Sequence, residues 1–99
     1  MVMLAVIRLD GDAYGVPISR TIEERTGGEV VLGSVYAALA RLEERGLVTS
    51  RLGEATAERG GRAKKYFQVT AKGLRDLRDA HRALKSLSEG LPQLEGAKA

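Results

Sequence analysis

"LGSVYAALARLEERGLVTSRL", residues 32–52, is the stretch whose reading decides the fold. Val35, Ala38, Leu39 and Leu42 recur at helical spacing and predict one apolar stripe on a helix from about Ser34 to Arg45. Gly46 ends that helix, because glycine takes the left-handed cap without a Cβ penalty. The period then changes. Leu47, Thr49 and Arg51 alternate against Val48, Ser50 and Leu52, which is the pattern of a strand. Away from its apolar stripe the helix begins with Ser34, Tyr36, Ala37, Ala40 and Arg41, while its outward acids, Glu43 and Glu44, come late. Its leading half can therefore approach an anion closely.

Working outward, "GEATAERGGRA" (53–63) is a polar loop with three glycines, and "KKYFQVT" (64–70) is a returning strand in which Lys65, Phe67 and Val69 alternate against Tyr66 and Gln68. Upstream, "MVMLAVIRL" (1–9) reads as a short, mostly buried helix, and "DGD" (10–12) as a turn. A second helix follows from Tyr14. Pro17 suits its first turn, Ile18 and Ile22 stack one turn apart, and "TGG" (26–28) ends it. "EVVL" (29–32) is β-branched and short, and a brief strand is expected there. Two helices, a third after a tight connection, and a hairpin behind the third make a winged helix-turn-helix. The fold class expected is mainly α with a small β-hairpin, and this domain should occupy residues 1–69.

Charge supports a function for the hairpin. Across the whole chain 16 cations face 13 acids, a net charge of +3. Residues 51–66 hold Arg51, Arg59, Arg62, Lys64 and Lys65 against Glu54 and Glu58, five against two, so this segment carries the entire excess. A polyanion would meet that patch first. Gly60 and Gly61 let the hairpin tip bend and bring its backbone near a phosphate, which Arg59, Arg62, Lys64 and Lys65 would neutralise. The competing reading is a solvated charged loop.

Beyond the wing, Thr70 is a good helix N-cap. Leu74, Leu77, His81, Leu84, Ser88 and Leu91 follow at alternating spacings of three and four, with Leu87 beside them. This helix, expected over residues 70–91, either packs on its own domain or pairs with a second copy. It extends too far for so small a domain to cover, and a homodimer through Leu74, Leu77, His81, Leu84 and Leu87 is the expectation. Residues 92–99 read as a frayed tail.

Several segments taken together resemble a known family. "LGSVYAALARLEERGLV" (32–48), "GGRAKKYFQVTAKG" (60–73), "YG" (14–15) and "IEERTGG" (22–28) look like the PadR family of transcriptional regulators, and the likeness runs from Leu4 to about Leu87. The resemblance implies a dimeric winged helix, usually a repressor, whose recognition helix begins at Gly33. Gly33, Ser34, Val35 and Tyr36 match its "GTLY"-type motif, which carries DNA contact to Ser34 and Tyr36. With the bottom-up reading, the expected double-stranded DNA-binding residues are Ser34, Tyr36, Ala37, Arg41, Arg59, Gly60, Gly61, Arg62, Lys64 and Lys65. A winged helix that binds protein and not nucleic acid is the alternative. RNA binding fits less well, because Tyr66 and Phe67 cannot both point outward from one strand to stack on bases.

Other function classes lack their residues. The chain has no cysteine, which excludes disulfides and thiolate metal sites and suits a reducing cytoplasm. His81 is the one histidine, too few for a typical zinc site. "GGRAKK" lacks the P-loop spacing, and Ser19, Ser34 and Ser50 have no local partner that would activate a nucleophile. No enzyme activity and no cofactor are expected. The apolar run "MVMLAVI" is interrupted by Arg8 and Asp10, far short of a bilayer span.

Overall fold

The computed structural model describes residues 1–53 and 64–95. Its elements in order are α1 (Val2–Leu9), a 3-10 turn (Asp10–Asp12), α2 (Gly15–Thr26), α3 (Leu32–Glu44), β1 (Val48–Leu52), β2 (Lys65–Val69), α4 (Ala71–Ser88) and α5 (Pro92–Glu95). Helices α1 to α3 pack together with the antiparallel β1–β2 hairpin against them. The core draws its largest fully buried side chains from four elements: Val6 of α1, Ile18 of α2, Val35 and Leu39 of α3, and Val48 of β1. Phe67 of β2 closes it. The apolar stripe read from α3 thus does face the core.

Helix ends follow local chemistry. Gly27 takes φ 76° after α2 and donates its N–H to the Glu23 carbonyl at 2.8 Å. Gly46 takes φ 77° after α3. Its N–H reaches the Glu43 carbonyl, and the Leu47 N–H reaches the Leu42 carbonyl at 2.9 Å, which together make a Schellman motif. Leu47, at the position after the glycine, is buried as that motif favours.

The hairpin pairs Val48 with Val69, Ser50 with Phe67 and Leu52 with Lys65. These residues share one face, and Thr49, Arg51, Tyr66 and Gln68 share the other. The segment after the 3-10 turn adds to the sheet at one point: Ala13, fully buried, accepts the Phe67 N–H at 2.8 Å.

The strand expected in "EVVL" is not formed. The Val30 N–H donates to the Glu23 carboxylate at 2.9 Å, and the Val31 carbonyl accepts from Ser34 and Val35 as α3 begins. Backbone groups committed to a side chain and a helix start are no longer free for a ladder. α3 starts at Leu32, two residues earlier than the periodicity indicates.

Thr70 caps α4 as expected, its Oγ1 accepting from the Gly73 N–H at 3.0 Å. The helix ends at Ser88 and does not run to Leu91: Glu89 is extended and Gly90 left-handed, with φ 77°. Pro92 then opens α5, so part of the stretch read as a frayed tail is helical, and residues 96–99 lie outside the described residues. α4 projects from the body. The chain measures 54 × 29 × 20 Å with a radius of gyration of 16.0 Å, against about 13 Å for a compact chain of this length.

Candidate nucleic-acid interface

The outer side of α3 carries Gly33, Ser34, Tyr36, Ala37, Ala40 and Arg41, all exposed. Tyr36 among them is seated on another element. Its ring lies on Gly15 at the start of α2, where an added Cβ would strike the Tyr36 phenol. Gly15 is buried, so the close approach of α2 to α3 requires a residue without a side chain here. Tyr36 keeps 47 % of its surface exposed. It therefore stands at the edge of the α2–α3 junction with a fixed ring and an open face.

Tyr14, one residue before Gly15, joins this junction to the wing. Its ring meets the Tyr66 ring edge-on, with centroids 5.3 Å apart. The Lys64 ammonium sits 4.6 Å over the Tyr14 ring and 3.4 Å from its hydroxyl. On the other side the Arg51 guanidinium lies 4.9 Å over the Tyr66 ring. Two cations are thereby placed on an aromatic pair at the end of the strands where the wing loop begins, each contact contributing about 0.5–1 kcal/mol at an exposed site. Gly53 completes this end of the ladder: its N–H donates to the Lys64 carbonyl at 2.7 Å, and a Cβ there would run into the Tyr66 ring. The strip from Tyr36 through Gly15 and Tyr14 to Lys64, Tyr66 and Arg51 is continuous.

Lys65 departs from its neighbour. It lies on the core-facing side of the hairpin, 5.7 Å over the Phe67 ring, with its ammonium 3.9 Å from a Glu43 carboxylate oxygen. Glu43 also accepts from the Ser50 hydroxyl at 2.7 Å. The ion pair is half exposed and is worth about 0–1 kcal/mol, yet it aims Lys65 at the end of α3 while Lys64 points to Tyr14. Arg59, Gly60, Gly61 and Arg62 lie outside the described residues.

Arg41 makes no ion pair with the glutamates of α3 among the described residues. It borders a shallow depression with Met3, Leu42 and Leu77, so it stands on the flank of α3 nearest α1 and α4, beyond Ser34 and Ala37. Arg51 and Tyr14 were missed as candidate site residues. Arg51 counts in the basic cluster, but its place on an aromatic ring depends on strand register.

The leucine stripe of α4 is largely uncovered on this chain, most of all in its second half. Gly73 is the only buried residue of the helix, Leu77 is partly covered, and Leu84 and Leu87 are 67 % and 79 % exposed. His81 is exposed within the same stripe. Leu4 and Ile7 on the outer side of α1 are exposed as well, and Ile7 and Leu74 border one depression. Among the described residues no group of His, Asp or Glu side chains could hold a metal ion, and no helix is long and apolar enough to cross a membrane.

Comparison with known proteins agrees with this architecture. The chain superposes on a PadR family transcriptional regulator from Eggerthella lenta with TM-score 0.73 and 29 % identity, over 94 % of this chain and 79 % of that one. A PadR family transcription regulator from Clostridium difficile gives TM-score 0.72 at 24 % identity, covering 94 % of each chain. A transcriptional regulator from Clostridium thermocellum gives 0.73 at 22 %, covering 93 % of this chain and 88 % of that one. The last two show the fold alone. No curated protein matches the chain. A sequence model of the PadR-like family of transcriptional regulators matches residues 3–79, from α1 into α4. With the three-helix body, the hairpin and the projecting helix all in place, this chain belongs to the PadR-like family and is a transcriptional regulator of winged-helix fold.

Proposed function

We propose that the protein binds double-stranded DNA in a sequence-specific way as a homodimer and acts as a repressor. One observation carries the DNA-binding reading. The exposed leading half of α3 and the cationic base of the wing are joined into one strip by Tyr36 on Gly15 and Lys64 on Tyr14. In this reading Ser34, Tyr36, Ala37 and Arg41 enter or flank the major groove. Arg59, Arg62 and Lys64 neutralise phosphates, with Gly60 and Gly61 bringing the backbone close, and Arg51 joins them from the wing base. Lys65 contributes least, because Glu43 shares its charge. Phosphate contacts fix register and base contacts supply sequence information.

Dimerisation is supported by the bare stripe of α4. Leu84 and Leu87 touch little of their own domain, and burying a leucine is worth about 1.5–3 kcal/mol. Pairing of two α4 helices through Leu74, Leu77, His81, Leu84 and Leu87, helped by Leu4 and Ile7 of α1, would bring two copies of α3 to one duplex face. Such pairs read half-sites about 34–36 Å apart. Selection of bound duplexes from a random pool should return an imperfect palindrome. Recovery of unrelated sequences, or of single-stranded RNA in a parallel pool, would overturn the assignment. A repressor places its operator over promoter elements, and a reporter fused to the selected site should rise in activity when the protein is removed.

A further inference from the structure

We infer that the first turn of α4 is a spacing determinant, with Thr70 and Lys72 holding the dimerisation helix at a fixed angle to α3 and so setting the distance between half-sites. The inference deepens the dimeric DNA-binding reading and rests on it for its operator consequence. The joint itself is on the structure of one chain.

Three successive carbonyls in the turn just after α3 are taken by the start of α4. The Arg45 carbonyl accepts from the Lys72 ammonium at 3.0 Å, the Gly46 carbonyl from the Thr70 hydroxyl at 2.7 Å, and the Leu47 carbonyl from the Thr70 N–H at 3.0 Å. The Thr70 Oγ1 also accepts from the Gly73 N–H, so one hydroxyl caps α4 and ties it to the turn after α3. Gly73 lies against the Leu47 carbonyl with no room for a Cβ. Lys72 adds a cation at the negative end of the α3 dipole.

Apolar contact at this joint is small: Gly73 is the one buried residue of α4, set against Val69, and Leu77 is partly covered. The three hydrogen bonds add the directional constraint that sets the angle. The 18 residues of α4 make a lever, about 27 Å long at 1.5 Å per residue. A rotation of about 10° at the joint moves its far end by about 5 Å, more than the 3.4 Å rise of one base pair. A dimer fastened through Leu84 and Leu87 therefore transmits any looseness at Thr70 directly into half-site spacing.

The test uses the 99-residue chain. It has no native cysteine, so nitroxide labels can be placed at cysteines introduced for exposed Ala40 and Arg78. Labelled chains are diluted with unlabelled ones so that distances within one chain are read. A narrow α3–α4 distance distribution is expected for the wild type, a broad one for Thr70→Val, and an intermediate one for exposed Lys72→Met. Thr70→Ser, which keeps the hydroxyl, should restore the narrow distribution. With duplexes whose half-sites are moved by one base pair, the wild type should lose about tenfold in affinity or more, whereas Thr70→Val should discriminate by only about threefold. Distributions for Thr70→Val and Lys72→Met as narrow as the wild type's would overturn the inference. A chain that binds no duplex at all refutes the DNA-binding reading, and the distance measurement still decides the joint.

Discussion

Gly73→Ala sets helix propensity against tertiary contact, and the two predict opposite signs. Gly73 lies in the first turn of α4 with ordinary helical backbone. On propensity alone, alanine should stabilise a helix by about 0.8–1 kcal/mol, and less near its end. The structure places the new Cβ against the Leu47 carbonyl, 2.9 Å from Val69 Cγ1 and 3.0 Å from the Leu47 carbonyl carbon. Backbone of β1's approach cannot rotate away as a flexible side chain would. Overpacking of this kind costs about 1–3 kcal/mol, and displacement of the Leu47 carbonyl weakens the Thr70 hydrogen bond to it, worth about 0.5–1.5 kcal/mol. The contact outweighs the propensity, and a net loss of about 1–3 kcal/mol is expected. Gly33→Ala is the matched control: Gly33 is in α3, and among the described residues nothing beyond its own helical turn lies within 4 Å of where a Cβ would stand. It should be neutral or slightly stabilising. Urea unfolding at one fixed protein concentration measures both, since stability of an oligomer depends on concentration. A Gly73→Ala protein as stable as the wild type would refute the argument that α4 is seated on the Leu47 carbonyl.

The remaining predictions concern the interface. Lys64→Ala should lower the salt slope of DNA binding by about one unit, and Lys65→Ala by clearly less, because Glu43 shares the Lys65 charge; equal slopes would refute the division between them. Arg41→Ala, measured on the selected site and its single-base variants, should lose about 1–3 kcal/mol of discrimination at one position if Arg41 reads a guanine, whereas a uniform loss makes it a phosphate contact. Leu77→Ala with Leu84→Ala should shift sedimentation from dimer to the 10.6 kDa chain, while a wild type that is monomeric and binds a palindrome as one copy defeats the dimer. Gly15→Ala should push the Tyr36 ring off α2 and weaken specific binding more than non-specific binding, and unchanged binding would show that the ring's seat does not matter.

What could be read along the chain was periodicity and capping. The apolar stripe of α3, the glycine that ends it, the alternation of both strands and the Thr70 cap are each decided within a few residues, and each stands where the sequence put it. From these follow the winged helix and the projecting α4. Other features required the assembled chain. "EVVL" has strand propensity, but the Glu23 carboxylate seven residues earlier takes the Val30 amide, a competitor that lies on the preceding helix and outside the segment whose propensity is read. Lys64 and Lys65 are neighbours in a basic cluster. Strand register sends Lys65 to Glu43, and the aromatic pair draws Lys64 to Tyr14, 50 residues away. Tyr36 was legible as an exposed helical residue, while its seat on Gly15 depends on how closely α2 and α3 cross. Propensities act over one or two turns of chain, so sequence alone could place the elements. The directions of charged and aromatic side chains depend on which distant backbone arrives beside them, and that was settled only when α2, α3 and the hairpin closed on one core.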